Sequence, residues 1–215
     1  MTKKKIQQIT LESLRDDNIQ KRNEFLKIMS DLNAATVNCF DESSVVKTTS
    51  NRRYGNAPCG QPAFEIQRYV SNATYTINLL HSPYGVDFVE ILHGPSNGQK
   101  LLYFEEVLSI TKPDGSAVLE RGDTVIMDNC GFHHGHFVEP ILTAMLNDSG
   151  VSLVFQPPYS PEYNTYELCF NEIKSYLQRN QRLAEQDTEY AIFLGCEEIS
   201  QQKSINYFRH CGYLL

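Results

Sequence analysis

The stretch Gln156–Leu177, QPPYSPEYNTYELCFNEIKSYL, joins a stiffened loop to the start of a helix. Its three prolines fix φ and lower the conformational entropy of the loop. The residues that follow place Phe170, Ile173 and Leu177 at i, i+3 and i+7, which is the spacing of one helix face. Glu167 falls on the opposite face. The sequence therefore predicts that the rigid loop presents this carboxylate in a set position.

Length and composition indicate one ordinary globular domain with a core of its own, or one such domain with appendages. The chain has 215 residues, 41% of them hydrophobic and 21% charged. No apolar run approaches the roughly 18–20 residues that cross a bilayer, and the opening MTKKKIQQIT is not a secretory signal. Six cysteines without a CxxC pair suit free thiols in a reducing compartment. The net charge of −7 argues against a protein that coats nucleic acid, but it allows a local basic groove.

The order of predicted elements indicates an α/β architecture, a mixed sheet with helices on its faces. Short apolar runs bounded by turn residues predict a strand that ends at Asp41-Glu42 and a buried strand that ends at Asp128. The remaining strands are predicted at 63–71, 73–82, 85–94 and 151–156, and helices within 1–33, at 97–110, at 136–150, after Glu167 and in the tail from about 183.

Three acids stand at the ends of these predicted elements. Asp41 and Asp128 close strands, and Glu167 opens a helix. Converging carboxylates repel each other, and divalent cations remove that cost. Two such ions activate water or a 3′-hydroxyl for attack on a phosphodiester. The alternative from spacing alone is that these acids simply cap helices and favour the helix dipole.

Three segments resemble the catalytic domain of mariner-superfamily transposases, the DDE endonuclease group. They are FDESSVVKTTSNRRYGNAPCGQP at 40–62, VIMDNCGFHH at 125–134 and LVFQPPYSPEYNTYELCFNEIKSYL at 153–177. The family shows Asp-Asn with a histidine five residues after the Asp, then Leu-Pro-Pro-Tyr-Ser-Pro-Asp-Leu-Asn-Pro-Ile-Glu. The positions that match are Asp128, Asn129, His133, 157–161, Asn164, Glu167, Phe170 and Lys174. The resemblance covers roughly residues 35–180.

The resemblance implies a ribonuclease-H-like fold, a mixed sheet flanked by helices. It maps the catalytic and metal-binding triad onto Asp41, Asp128 and Glu167, with two Mg²⁺ or Mn²⁺ ions. The implied reaction is DNA strand cleavage by water, followed by strand transfer from a DNA 3′-hydroxyl. Two departures concern the loop: NTYE replaces Asn-Pro-Ile-Glu, and Glu162-Tyr163 replaces Asp-Leu. Thr165 in place of proline is expected to loosen the approach to Glu167.

Residues 1–34 are predicted to form a helical leader, 35–182 the catalytic domain and 183–215 a helical tail. Family members carry helix-turn-helix modules before the catalytic domain, whereas about 34 residues precede the first predicted strand here. Recognition of transposon ends is therefore expected outside this chain. The implied partners are transposon-end and target DNA and a second copy of the chain, with no membrane. The expected location is the nucleus in a eukaryote and otherwise the cytoplasm.

Two other functions remain open at this point. One is a truncated or domesticated transposase-derived domain that binds DNA or protein without catalysis. The acidic charge and the missing recognition module favour it, and the presence of all three acids argues against it. The other is a metal-dependent nuclease unrelated to transposition.

Several basic residues are candidate DNA contacts, because cations near the metal site hold phosphates. They are Lys47, Arg52, Arg53, His133 and Lys174. The alternative for the first three is a solvated loop. Cys130, His133, His134 and His136 suggest zinc, but their spacing matches no standard pattern. Tyr159 either stacks on a base or packs the rigid loop.

Overall fold

A mixed sheet forms the centre of the molecule. The computed structural model describes residues 10–46, 56–64, 74–94, 104–112, 115–129 and 138–214. Within these ranges the sheet has five strands in the order β3-β2-β1-β4-β5. Their bounds are β1 Val37–Val46, β2 Thr74–Ser82, β3 Gly85–His93, β4 Thr124–Met127 and β5 Ser152–Phe155. The first three strands pair antiparallel, and β4 joins β1 and β5 in parallel.

Helices cover the sheet. In the described part of the chain they are α1 Asp16–Asp31, α2 Phe104–Ser109, α3 Val138–Asp148, α4 Thr165–Arg179, α5 Gln181–Gln186, α6 Thr188–Glu197 and α7 Gln201–His210. Short 3₁₀ turns lie at Leu11–Leu14, Ala34–Thr36 and Pro161–Tyr163. None of the helices that the structure describes is long and apolar enough to cross a membrane.

The two faces of the sheet bury separate apolar clusters, as the period-2 alternation of a strand requires. On one face Cys39 of β1 packs with α4 and with residues of α1, α6 and α7. On the other face Phe40 packs with Leu142 and Leu146 of α3. The predicted α/β architecture, a mixed sheet flanked by helices, is confirmed.

The predicted end of the first strand is wrong. We expected this strand to stop at Asp41-Glu42, whereas β1 continues to Val46, so Asp41 lies inside a strand. The cause is long-range pairing, because β2 stays in antiparallel register with β1 up to the pair Val46 and Thr74. Cross-strand hydrogen bonds override the low strand propensity of the DESS segment.

Most other predicted elements are present. The strands expected at 73–82, 85–94 and 151–156 are β2, β3 and β5, and the helix at 136–150 is α3. The strand expected at 63–71 lies mostly outside the described residues. Phe25 of α1 and Phe208 of α7 belong to the same apolar cluster as α4. The division into leader, catalytic domain and tail stays a prediction. The five cysteines in the described ranges are free, and four of them are buried.

Candidate active site

Asp41 and Asp128 stand next to each other on neighbouring strands. β1 and β4 pair in parallel register, with Phe40 opposite Met127. Asp41 is the next residue of β1, and Asp128 directly follows β4. Both side chains are partly buried. Because the two residues follow paired positions, the sheet brings them to the same place at its centre.

The buried phenol of Tyr166 lies within electrostatic range of both carboxylates. Burial raises the pKa of Tyr166 well above its usual value, and the charges of Asp41 and Asp128 raise it further. The two acids therefore lie close enough to the first turn of α4 to act on the same side chain.

Glu167 lies in that first turn, and its side chain is exposed. Phe170, Ile173 and Leu177 of α4 are buried, as their spacing predicted, so Glu167 faces away from the core. Its charge adds to the burial that raises the pKa of the Cys211 thiol to about 11. Across the described ranges, no three His, Cys, Asp or Glu side chains lie close enough together to hold a metal ion. The structure thus brings Asp41 and Asp128 together but does not bring Glu167 into such a group with them.

Hydrogen bonds fix α4 along β1, on the strand face that carries Cys39, Asp41 and Ser43. At the start of the helix, Thr165 Oγ1 lies 3.1 Å from Nδ1 of His81, a residue of β2 that pairs with Cys39. Further along, Lys174 Nζ donates to Ser43 Oγ at 3.1 Å. Lys174 and Glu167 are seven residues apart and share one side of the helix. This side therefore runs above the strand that carries Asp41.

The loop between β5 and α4 walls a pocket of about 210 Å³ beside Asp128. Its lining residues are Asp128, Asn129, Gln156, Pro157, Pro158, Tyr159, Ser160, Pro161 and Asn164. Asn164 Oδ1 is buried without a hydrogen-bond partner among the residues that the structure describes. The prolines thus form a rigid wall, while the amides and the carboxylate supply polar groups.

A network of hydrogen bonds, which the sequence did not predict, holds this loop against the interior. Gln156 Nε2 donates to the Tyr163 carbonyl at 3.0 Å, and Tyr166 Oη donates to Gln156 Oε1 at 3.1 Å. Tyr213 Oη donates to the same Tyr163 carbonyl at 2.7 Å. Gln156 is 4% exposed and its bond from Tyr166 is buried, whereas the two bonds to the Tyr163 carbonyl are partly buried. The only local signal was a polar residue, Gln156, at the end of the apolar run VSLVF, and the sequence around Tyr213 gave no signal.

Helix α1 also contacts the loop. Arg22 Nε donates to Ser160 Oγ at 3.3 Å and lies 4.0 Å from Glu162 Oε1. The rings of Phe25 and Tyr163 are 5.2 Å apart. Residues of α1 therefore help to fix the loop beside Asp128, a role that the sequence did not predict.

The predicted DNA contacts are mostly beyond the described ranges. Lys47, Arg52, Arg53 and His133 lie outside the described residues, as does the set of cysteine and histidines considered for zinc. Lys174 lies within the described residues, and its ammonium group donates a hydrogen bond to Ser43 Oγ.

The donor set fits a hard divalent cation. Asp41 and Asp128 supply carboxylates from adjacent strands, and Asn164 Oδ1 adds a buried oxygen on the pocket wall next to Asp128. Mg²⁺ prefers oxygen ligands and commonly binds through one or two carboxylates together with substrate phosphate. The chemistry of these residues is therefore suited to Mg²⁺ or Mn²⁺.

The sequence and the fold both match those of known proteins. A family model described as DDE superfamily endonuclease matches residues 36–188. No curated protein matches the chain.

Among solved structures, the pre-cleavage Mos1 transpososome aligns with a TM-score of 0.67 and 14% identity over 98% of this chain and 64% of that chain. The Mos1 mariner paired-end complex with Mn gives 0.66 and 14%, over 97% and 63% of the two chains. The catalytic domain of Mos1 mariner transposase gives 0.59 and 12%, over 92% and 90%. This likeness establishes the predicted ribonuclease-H-like fold. The chain spans less than two thirds of the chains in the first two complexes.

Proposed function

The chain belongs to the DDE superfamily endonucleases, and from this premise we propose that it is the catalytic domain of a mariner-type transposase. The proposed reaction is cleavage of a DNA strand by water, followed by strand transfer from a DNA 3′-hydroxyl. One observation carries the proposal: the parallel register of β1 and β4 sets Asp41 and Asp128 side by side. This pair lies in a chain whose residues 36–188 match the endonuclease family.

We propose that Asp41 and Asp128 hold two divalent cations between them and that Glu167 completes one of the two sites. Mos1 structures have been solved with Mg and with Mn, which supports a cation of this kind. When bound, such ions lower the pKa of water and stabilise the leaving oxygen of the phosphodiester. Glu167 lies on an exposed face of α4, and Lys174 on the same side of the helix contacts β1, the strand that carries Asp41.

The remaining contribution of the protein is positioning. Phosphoryl transfer needs orientation and charge neutralisation more than a covalent nucleophile. Lys47, Arg52, Arg53, His133 and Lys174 are proposed to hold DNA phosphates. The loop at 156–164 is fixed from two sides, by Arg22 and by the Gln156 network, and this keeps the wall beside Asp128 in place.

Transposon-end DNA and target DNA are the proposed substrates. The Mos1 structures that resemble the chain include a transpososome, paired-end complexes and a strand transfer complex. Because transposition joins two ends, we also propose that two copies of the chain act together.

The test pairs Mn²⁺ calorimetry with a DNA cleavage assay on the wild type and Asp128→Asn. Asp148→Asn is the matched control, since Asp148 is an exposed acid at the end of α3. We expect Asp128→Asn to lose saturable Mn²⁺ binding and at least about 100-fold of the cleavage rate, while Asp148→Asn keeps both. DNA binding without cleavage by the wild type would contradict the proposal and favour a domain that binds without catalysis.

A further inference from the structure

Tyr159 has an unusual backbone conformation. Its φ is 57°, and it is the one non-glycine residue with positive φ in the described part of the chain. Side chains rarely adopt this region because Cβ approaches the carbonyl oxygen. Such conformations persist where the surroundings impose them, and they cluster at functional sites. Here Ser160, 5% exposed, donates to the Pro158 carbonyl at 3.3 Å and accepts from Arg22.

The strained backbone directs the ring outwards. Tyr159 is 54% exposed, and among the described residues its ring has no hydrogen bond and no ring contact. The tyrosines beside it behave differently, because Tyr163, Tyr166 and Tyr213 all join the network or the core beneath the loop. Within the described ranges, Tyr159 therefore takes no part in the hydrogen bonds and ring contacts that hold the loop, and much of its surface is open to a ligand.

The ring stands at the edge of the pocket that Asp128 lines. The wall beside it combines proline rings with the amides of Asn129 and Asn164. Apolar ring surfaces next to amide groups suit the face and the edge of a nucleobase, since every base has a π-face and hydrogen-bonding groups. A DNA phosphate near Asp128 joins two nucleotides, so one base lies on each side of it.

We infer that Tyr159 stacks on a DNA base next to the phosphate that is cut. This rests on the proposed function, because it places the phosphate at Asp128. The contact is independent of base identity, as stacking platforms for single strands are. It gives the strained conformation a role: the strain is maintained so that the ring meets the substrate.

Tryptophan fluorescence tests the inference, because the chain contains no tryptophan. Tyr159→Trp introduces a single fluorophore at the pocket. Tyr84→Trp is the matched control, since Tyr84 is also 54% exposed but lies in the turn between β2 and β3, at the opposite edge of the sheet from β5. Each variant is titrated with a short single-stranded oligonucleotide, and with one that carries abasic sites but the same phosphates. Anisotropy of the labelled oligonucleotide reports binding.

We expect saturable quenching of Trp fluorescence in Tyr159→Trp by the base-containing strand alone, and no quenching in Tyr84→Trp. Tyr159→Ala should bind the base-containing strand roughly 10-fold more weakly and the abasic strand unchanged, while Tyr159→Phe should bind like the wild type. Equal quenching by both strands, or none from a strand that binds, would overturn the stacking.

The cleavage assay distinguishes the stacking by Tyr159 from the proposed catalytic function. A chain that cleaves DNA while the tryptophan in Tyr159→Trp stays unquenched overturns the stacking and leaves the proposed function intact. A chain that shows base-dependent quenching without cleavage supports stacking of Tyr159 on a base, but it contradicts the catalytic role and the placement of that base beside a cut phosphate. A chain that binds no DNA overturns both.

Discussion

Thr165 begins α4 two residues before Glu167, at the position where the resembled family has proline. The sequence predicted that threonine would loosen the approach to Glu167, and this stays a prediction. Thr165 is fully buried, and its hydroxyl lies 3.1 Å from His81 Nδ1. This buried contact with β2 restrains the start of α4 in a different way from a proline ring, which would fix φ.

His81, the partner of Thr165, makes the stability of the protein depend on pH. Burial lowers the pKa of His81 to about 3, against an ordinary value of 6.5. Between these values the unfolded chain binds a proton at this site and the folded chain does not, so stability falls as the pH falls. The contribution is fully present above pH 6.5. From pH 7 to pH 5 we expect this residue alone to cost about 2 kcal/mol.

Urea unfolding at pH 7 and pH 5 checks this on the wild type and His81→Gln, which keeps a hydrogen-bonding side chain but does not titrate. His210→Gln serves as the control, because His210 lies exposed at the end of α7. The difference between the two pH values should shrink by about 2 kcal/mol in His81→Gln alone. An identical pH dependence in all three proteins would mean that His81 is protonated in the fold.

At the scale of elements, the junction between the loop and α4 depends on a polar pair where the resembled family has leucine and isoleucine. Gln156 and Tyr166 occupy these two positions, and Tyr166 Oη donates to Gln156 Oε1. Both side chains are buried. Replacing one partner leaves the other unsatisfied, whereas replacing both with apolar groups of similar shape is nearly neutral.

We therefore expect Tyr166→Phe and Gln156→Leu each to lower the free energy of unfolding by about 1–3 kcal/mol. The double variant should lose clearly less than the sum of the two, because no buried group is then left without its partner. A double-mutant cycle in urea measures this coupling. Tyr159→Phe is the control for loss of a phenol hydroxyl, since Tyr159 is exposed. Strictly additive losses would show that the Gln156–Tyr166 hydrogen bond does not stabilise the junction.

Elements with a strong local pattern were predictable from the sequence. The buried run before Asp128 gave β4, and the i, i+3, i+7 spacing after Glu167 gave the buried face of α4. The extent of β1 was not predictable, because its second half depends on pairing with β2. A segment such as DESS has little strand preference of its own, and only the partner strand makes it extended.

At the scale of the whole molecule, the contacts that fix the loop come from both ends of the chain. Arg22 reaches Ser160 across 138 residues of sequence, and Tyr213 reaches Tyr163 across 50. The acids of the candidate site were singled out at the ends of predicted elements, and the resemblance mapped the catalytic triad onto them. The register of β1 and β4 pairs two of the three. Local patterns carry no information on such distant partners, so the sequence did not predict that Arg22 and Tyr213 contact the loop.

These contacts lead us to expect that the C-terminal helices unfold together with the sheet, rather than as a separate tail. Phe208 of α7 is fully buried, and its ring lies 5.2 Å from that of His81 in β2. Phe208→Ala should therefore lower the free energy of unfolding of the whole chain by about 3–5 kcal/mol. Phe193→Ala, at a 46% exposed position of α6, should cost less than about 1 kcal/mol.

Hydrogen exchange followed residue by residue separates the two outcomes. If α7 and the sheet form one cooperative unit, Phe208→Ala lowers the protection of amides in β1 and β2 as much as that of amides in α7. If residues 183–215 are an independent appendage, protection falls in α7 alone and the strands keep theirs. The second pattern would also mean that the Tyr213 hydrogen bond can break without loss of the sheet, which would leave the wall beside Asp128 held by α1 and Gln156.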